Sequence, residues 1–142
     1  MIFSLDTNVF VDALRKPPER DRLKAFLSWA LPSTVLSSVV AAELTAGART
    51  DKARQLLDEA LLAPFERRGR ILPPSARAWR RAGLVLARLG AGSVSSSRQN
   101  DVLLATQARE QGWTIVTRDQ DFRSLRTQVS GLQISAPFPE RP

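Results

Sequence analysis

A layered α/β fold with a mostly parallel central sheet is the architecture this sequence predicts. Five short apolar segments, at 1–5, 34–37, 71–72, 113–117 and 132–135, read as strands. The longer stretches between them carry apolar residues at helical spacing. Strand-like and helix-like segments alternate, and alternation of that kind builds parallel strands joined by helical crossovers. The 142 residues contain no internal repeat and no dividing linker, so a single domain over 1–142 is expected.

The elements follow in order from local chemistry. Residues 1–5 form an apolar run ending at Asp6, a buried strand that leads into a helix over 8–14. Pro17 and Pro18 stop that helix, because proline lacks the amide hydrogen a helix interior needs. Leu23, Phe26, Leu27 and Ala30 give 19–31 a helical stripe closed by Pro32. Residues 34–37 read as the second strand, and Ser38 is placed to cap a helix over 39–48. A further helix over 51–66 is expected to face inward through Leu56, Leu57, Ala60 and Leu61. Ile71 and Leu72, between Gly69 and the Pro73-Pro74 pair, suggest a third strand. The stretch 75–89 is strongly amphipathic through Ala78, Trp79, Ala82, Val85, Leu86 and Leu89, and Gly90 ends it. Residues 92–97 read as a small polar loop that could move over a substrate, 100–111 as a helix ending at Gly112, and 113–117 as a strand rich in β-branched residues. A turn over 118–121, a short helix over 122–127 and a strand over 132–135 complete the fold, with 136–142 a loose tail.

Composition excludes several chemistries. The chain has no cysteine, histidine or tyrosine. Disulfides, Ser-His-Asp and Cys-His catalysis and imidazole acid–base chemistry are therefore ruled out, and a catalytic zinc loses its usual ligands. Carboxylates, hydroxyls, lysine and arginine remain. The net charge is +7, with lysine only at Lys16, Lys24 and Lys52 and arginine supplying the rest. Such an excess suits polyanionic partners, although arginine-rich composition alone specifies no function. No apolar run reaches the roughly 20 residues a membrane span requires, and the N-terminus does not read as a signal peptide, so the expectation is a cytoplasmic protein.

In this basic chain, four acids fall near the carboxyl ends of the expected strands, where open α/β sheets bind ligands. Asp6 follows the first strand, Glu43 lies one turn into the helix after the second, Asp101 opens the helix after the serine-rich loop, and Asp119 follows the fourth strand. Packed carboxylates repel and raise one another's pKa, a penalty that a divalent cation removes. Mg²⁺ and Mn²⁺ favour oxygen ligands and retain waters, so two to four carboxylates suffice.

The sequence contexts are Leu5-Asp6-Thr7-Asn8, Ala42-Glu43-Leu44-Thr45-Ala46-Gly47, Asn100-Asp101-Val102-Leu103-Leu104-Ala105 and Thr117-Arg118-Asp119-Gln120-Asp121-Phe122. Each is weak alone; together, in this order and over nearly the whole chain, they resemble the PIN-domain family, and most of all its VapC-type ribonuclease toxins of bacterial toxin–antitoxin pairs. The resemblance implies a three-layer, doubly wound α/β/α fold with about five parallel strands, and an Mg²⁺- or Mn²⁺-dependent endoribonuclease. It also implies a homodimer and a cognate antitoxin that covers the groove. Asp6, Glu43 and Asp101 match the family's first three acids, and Asp119 matches a fourth that varies. Thr117 matches a hydroxyl residue at the end of the fourth strand. Asp121 and Asn8 are supporting positions.

Each position also has a plain structural reading. Asp6 and Asp119 are natural helix caps or turn residues. Glu43 is a solvated helix acid if its helix is exposed, and a partnered one if that helix is buried, as its apolar neighbours suggest. Asp101 at a helix N-terminus would interact with the macrodipole. Asp121 reads best as the cap of the short helix near Phe122. Arg98 and Arg118 flank the site and are candidate phosphate contacts, though a solvated arginine is commoner. Trp29, Trp79 and Trp113 read as core or interface residues. Two other functions fit less well. A haloacid-dehalogenase-type phosphatase needs a second acid two residues after its nucleophile, where this chain has Asn8. A catalytically silent PIN fold that binds RNA or protein has no need for four intact acids.

Overall fold

The computed structural model describes residues 1–90 and 95–142. Its elements alternate as expected: β1 (Ile2–Leu5), α1 (Thr7–Arg15), α2 (Pro17–Ala30), β2 (Thr34–Ser37), α3 (Ser38–Gly47), α4 (Asp51–Leu56), α5 (Ala63–Glu66), β3 (Ile71–Leu72), α6 (Ala76–Leu89), α7 (Ser96–Gln111), β4 (Trp113–Val116), α8 (Gln120–Ser124) and β5 (Gln133–Ser135). The strands form one parallel sheet in the order β3-β2-β1-β4-β5. The chain winds outward from β1 through β2 and β3, then returns to the other side of β1 for β4 and β5. The sheet is therefore doubly wound in a three-layer α/β/α fold, and its switch point lies between the carboxyl ends of β1 and β4. Register across that point pairs Ile2 with Trp113 and Leu5 with Val116.

Both central strands are inside the core. Phe3, Ser4 and Leu5 of β1 and all four residues of β4 are buried, as expected for parallel strands covered on both faces. Leu5, Phe10, Leu36, Phe65, Leu104, Ile115 and Phe122 are among the fully buried side chains. Gly90 and Gly112 stop α6 and α7 in the left-handed conformation that glycine tolerates best.

Several expectations are corrected by local detail. Pro17 and Pro18 open α2 as well as ending α1, because the first turn of a helix has no use for their missing amide hydrogens. The cap of α3 is Ser37, whose hydroxyl accepts from Val39 N, and not Ser38. The stretch 51–66 is helical but passes through a π-helical segment, Leu57–Leu62. The wider turn moves the buried stripe onto Leu57, Leu62 and Phe65 and leaves Leu56 56% exposed. Trp113 is buried, and Trp29 packs edge-on to Phe3 and Phe26, but Trp79 is 59% exposed, on the flank of α6 away from its buried residues Ala78, Ala82 and Val85. The tail is tied down at Phe138, whose ring packs at 5.2 Å on Phe26, while Arg22 donates to Pro137 O. Of the loop expected over 92–97, residues 92–94 lie outside the described residues. Ser95 caps α7, and Ser96 and Ser97 are already helical.

Candidate active site

Asp6 stands where β1 becomes α1. Its main-chain N–H donates to Val116 O at 3.0 Å, carrying the β1–β4 ladder one residue past the strand end. Its Oδ1 then accepts from Thr7 N at 2.8 Å, so Asp6 caps α1. The second oxygen turns to the neighbouring strand: Oδ2 accepts from Thr117 Oγ1 at 2.8 Å and from Asn8 Nδ2 at 3.2 Å. Thr117 Oγ1 itself accepts from Asn8 Nδ2 and from Asp119 N, and Asn8 Oδ1 accepts from Arg118 N. The exits of both central strands are thereby stitched into one polar knot around a carboxylate that is only 4% exposed.

The other three acids gather round it. Glu43, half-buried on α3, accepts from Thr7 Oγ1 at 3.0 Å. Asp119 caps α8, its Oδ1 accepting from Asp121 N at 2.8 Å. The cap of that helix is thus Asp119, not Asp121, because the helix begins at Gln120. Asp121 is exposed, and its charge is not among those that act on Asp6 or Asp101. Asp101 sits in the second turn of α7, since that helix begins at Ser96 and not near Asn100. A macrodipole role fades within the first turn and does not explain it. No hydrogen bond or ion pair among the described residues holds its carboxylate.

Asp101 and Asp6 both feel the charges of their acidic neighbours. Burial pushes Asp101 up to about 8, helped by the charges of Asp6, Asp119 and Glu43 and opposed by Arg98. Burial also pushes Asp6 up to about 6. The hydrogen bonds from Thr117 and Thr7 oppose that rise, while Glu43 and Asp119 add to it. A site that holds protons this firmly suits a cation, and its donors are all hard oxygens. Among the described residues, no three acidic side chains converge closely enough to enclose an ion by themselves. The arrangement therefore fits a hydrated Mg²⁺ or Mn²⁺, which keeps several waters and needs only one or two direct carboxylates, better than a dry protein cage.

Both flanking arginines are engaged within the chain. Arg118 Nε pairs with Asp12 Oδ2 at 2.8 Å, and its guanidinium also meets Glu19. Arg98 donates to Asp121 O and Ser124 Oγ. Each has a structural task with which a phosphate contact would compete. Sequence reasoning missed Gln107, which is almost fully buried between α7 and the sheet. Its Oε1 accepts from Ser37 Oγ at 2.5 Å, and its Nε2 donates to Leu72 O at 2.9 Å. This amide pins α7, the carrier of Asp101, to the ends of β2 and β3. Its signal in the sequence is a long polar side chain inside the apolar run from Val102 to Ala108.

Comparison with known proteins matches the PIN domain family over residues 4–127. None of the curated proteins matches the chain. Among solved structures, the VapBC2 complex of Rickettsia felis bound to a DNA fragment from its promoter contains a chain 27% identical, with a TM-score of 0.68, covering 96% of this chain and 98% of that one. DNA-bound VapBC from Salmonella typhimurium matches at 24% identity and a TM-score of 0.69, over 96% and 98%. FitAcB from Neisseria gonorrhoeae matches at 24% and 0.67, over 94% and 96%.

Proposed function

This chain belongs to the PIN domain family, and from that premise we propose that it is a metal-dependent endoribonuclease acting as the toxin of a toxin–antitoxin pair. The observation that carries the reading is the gathering of Glu43 and Asp119 around Asp6 and Asp101, both withdrawn from solvent, at the switch point of a sheet whose chain is otherwise strongly basic. Asp6, Asp101 and Asp119 would hold one or two hydrated divalent ions, in part through the ions' own waters, with Glu43 as a further ligand or as orienter of the attacking water. When bound, Mg²⁺ or Mn²⁺ supplies Lewis acidity and charge neutralisation at the phosphodiester.

The chain's own residues supply the geometry. Thr117 and Asn8 hold Asp6 Oδ2 in one direction, and Thr7 holds Glu43 Oε1. Asp119 is fixed through the α8 cap. Groups pre-set in this way need little reorganisation as charge develops on the reacting phosphate. The solved relatives are toxin–antitoxin complexes, and the reading extends to this chain a cognate antitoxin partner and, from the family resemblance, a homodimer in the cytoplasm. No helix among the described residues is long and apolar enough to cross a membrane.

The test is cleavage of total cellular RNA by the purified protein with Mg²⁺, with Mn²⁺ and with EDTA, beside Asp6→Asn. Discrete fragments that need metal and vanish in the variant are expected. Absence of cleavage by folded, metal-supplied, antitoxin-free protein would refute the nuclease.

A further inference from the structure

Helix α6 carries four arginines and no acid. Arg77, Arg80, Arg81 and Arg88 fall within one angular sector at 100° per residue, together with Leu84, which is 61% exposed. All four arginines are exposed, and none has a hydrogen bond or ion pair among the described residues. Their placement is electrostatically unfavourable for the helix alone. Arg77 lies in the first turn, against the positive end of the macrodipole, and Arg77 repels Arg80 and Arg81 at i,i+3 and i,i+4. Beside this face, Arg81, Leu84 and Arg88 line a hollow of about 300 Å³ with Arg109, Gln128 and Ser130, and Arg109 is held there by its bond to Ser130 O.

We propose that this face of α6 is an RNA-backbone binding site, separate from the acidic cluster, in which Arg77, Arg80, Arg81 and Arg88 contact phosphates. The proposal rests on the ribonuclease reading above and names how that enzyme holds its substrate. A polyanion relieves the repulsion built into the helix, and the guanidinium fork fits phosphate oxygens in pairs. The face holds a single exposed apolar side chain and no aromatic, so it lacks the anchors typical of protein interfaces. A second copy of the same face would meet it with like charge.

Geometry sets the substrate's size. Trp79, on the opposite flank of α6, lines a different hollow with Glu43 and Asn100. RNA that reaches both the arginine face and the acids must therefore cross the width of a helix, roughly 10–12 Å. Only substrates longer than the few nucleotides around the cleaved bond gain the contact.

The test measures binding of a structured RNA of tRNA length to the Asp6→Asn protein in EDTA across a salt series. It compares Arg77→Gln/Arg80→Gln/Arg81→Gln/Arg88→Gln with the corresponding four-lysine variant. Loss of four contacts should lower the slope of log K against log salt by about 3 and weaken binding roughly tenfold or more near 0.1 M salt. The lysine variant should keep the slope. In the otherwise wild-type enzyme the glutamine changes should lower kcat/KM on the long RNA and leave a short oligonucleotide unaffected. Unchanged affinity and slope would overturn the site, as would a lysine variant that loses as much slope as the glutamine variant. A loss confined to duplex DNA would overturn the RNA assignment. Failure of the nuclease reading is separate: it appears as no cleavage of any RNA by the wild type, whatever the binding arm gives.

Discussion

Thr117 Oγ1 donates to Asp6 Oδ2 at 2.8 Å, and this bond joins the first residue past β1 to the first residue past β4. The parallel register that sets Leu5 beside Val116 leaves these two next to each other at the sheet's carboxyl edge, where their main-chain amides make the last bonds of the ladder, to Val116 O and Ser135 O. The link between the two strands and the hold on the carboxylate proposed for chemistry are here the same contact.

Removing the hydroxyl should therefore change titration as well as stability. In Thr117→Val, Asp6 loses a bond that favours its charged form, so its pKa should rise further above its already raised value of about 6. The acid limb of the cleavage–pH profile should move upward, and activity at neutral pH should fall roughly 10–100-fold, the usual cost of losing support around a metal ligand. Thr117→Ser should restore both. An acid limb that stays in place in the valine variant would show that Thr117 does not hold Asp6.

Much of this arrangement was legible in the sequence. Asp6 and Asp119 were readable because an acid directly after a buried strand is a local pattern, and the β-branched run before Thr117 marks its strand. The start of α7 was not legible, because Ser95, Ser96 and Ser97 serve loops and helix caps equally well, and only the hydrogen bond from Arg98 N to Ser95 Oγ decides between them. That ambiguity put Asp101 in the wrong turn. The π-helical segment was equally hidden: the apolar residues of 51–66 fit an ordinary helix, and the extra residue in the turn shows only in which leucines are buried. Gln107 was missed because its partners, Ser37 and Leu72, belong to strands far away in sequence.

Asp101 should make the metal-free protein less stable as pH rises. Its folded pKa, about 8, lies above the unfolded 3.8, as does that of Asp6 at about 6. Between those values the folded state binds more protons than the unfolded state, so stability falls with increasing pH. The contribution is complete below about pH 4, and it is lost as pH passes through 6 for Asp6 and 8 for Asp101. In EDTA, the melting temperature should drop between pH 5 and pH 8.5, and Mg²⁺ should restore part of it at the higher pH. Asp101→Asn should flatten the upper part of this dependence and stabilise the metal-free protein by about 1 kcal/mol near pH 8, while abolishing cleavage. A slope unchanged by the substitution would assign the pH effect to other groups.

Asp119 caps α8 and is also a proposed metal ligand, two roles that different substitutions separate. Asn can still cap α8 through its side-chain oxygen, so Asp119→Asn should keep the melting temperature and weaken divalent-metal binding. Ala removes the cap as well, at a typical cost of about 1 kcal/mol. Isothermal titration with Mn²⁺ beside thermal melts would distinguish them. Equal metal affinity in the wild type and the Asn variant would confine Asp119 to the cap.

Gln107 should act on the site from a distance through the position of α7. Gln107→Leu leaves Ser37 Oγ and Leu72 O without their amide partner, and stranding buried polar groups costs about 1–3 kcal/mol. A purely structural loss would lower stability alone. If the amide also sets where Asp101 stands, metal affinity should fall along with stability, whereas kcat at saturating Mn²⁺ should recover toward the wild-type value. Gln107→Glu tests the same link with another sign: a further carboxylate buried next to Ser37 should destabilise the fold most at high pH, where it must ionise. A leucine variant that is destabilised yet binds Mn²⁺ as tightly as the wild type would limit Gln107 to holding α7 on the sheet.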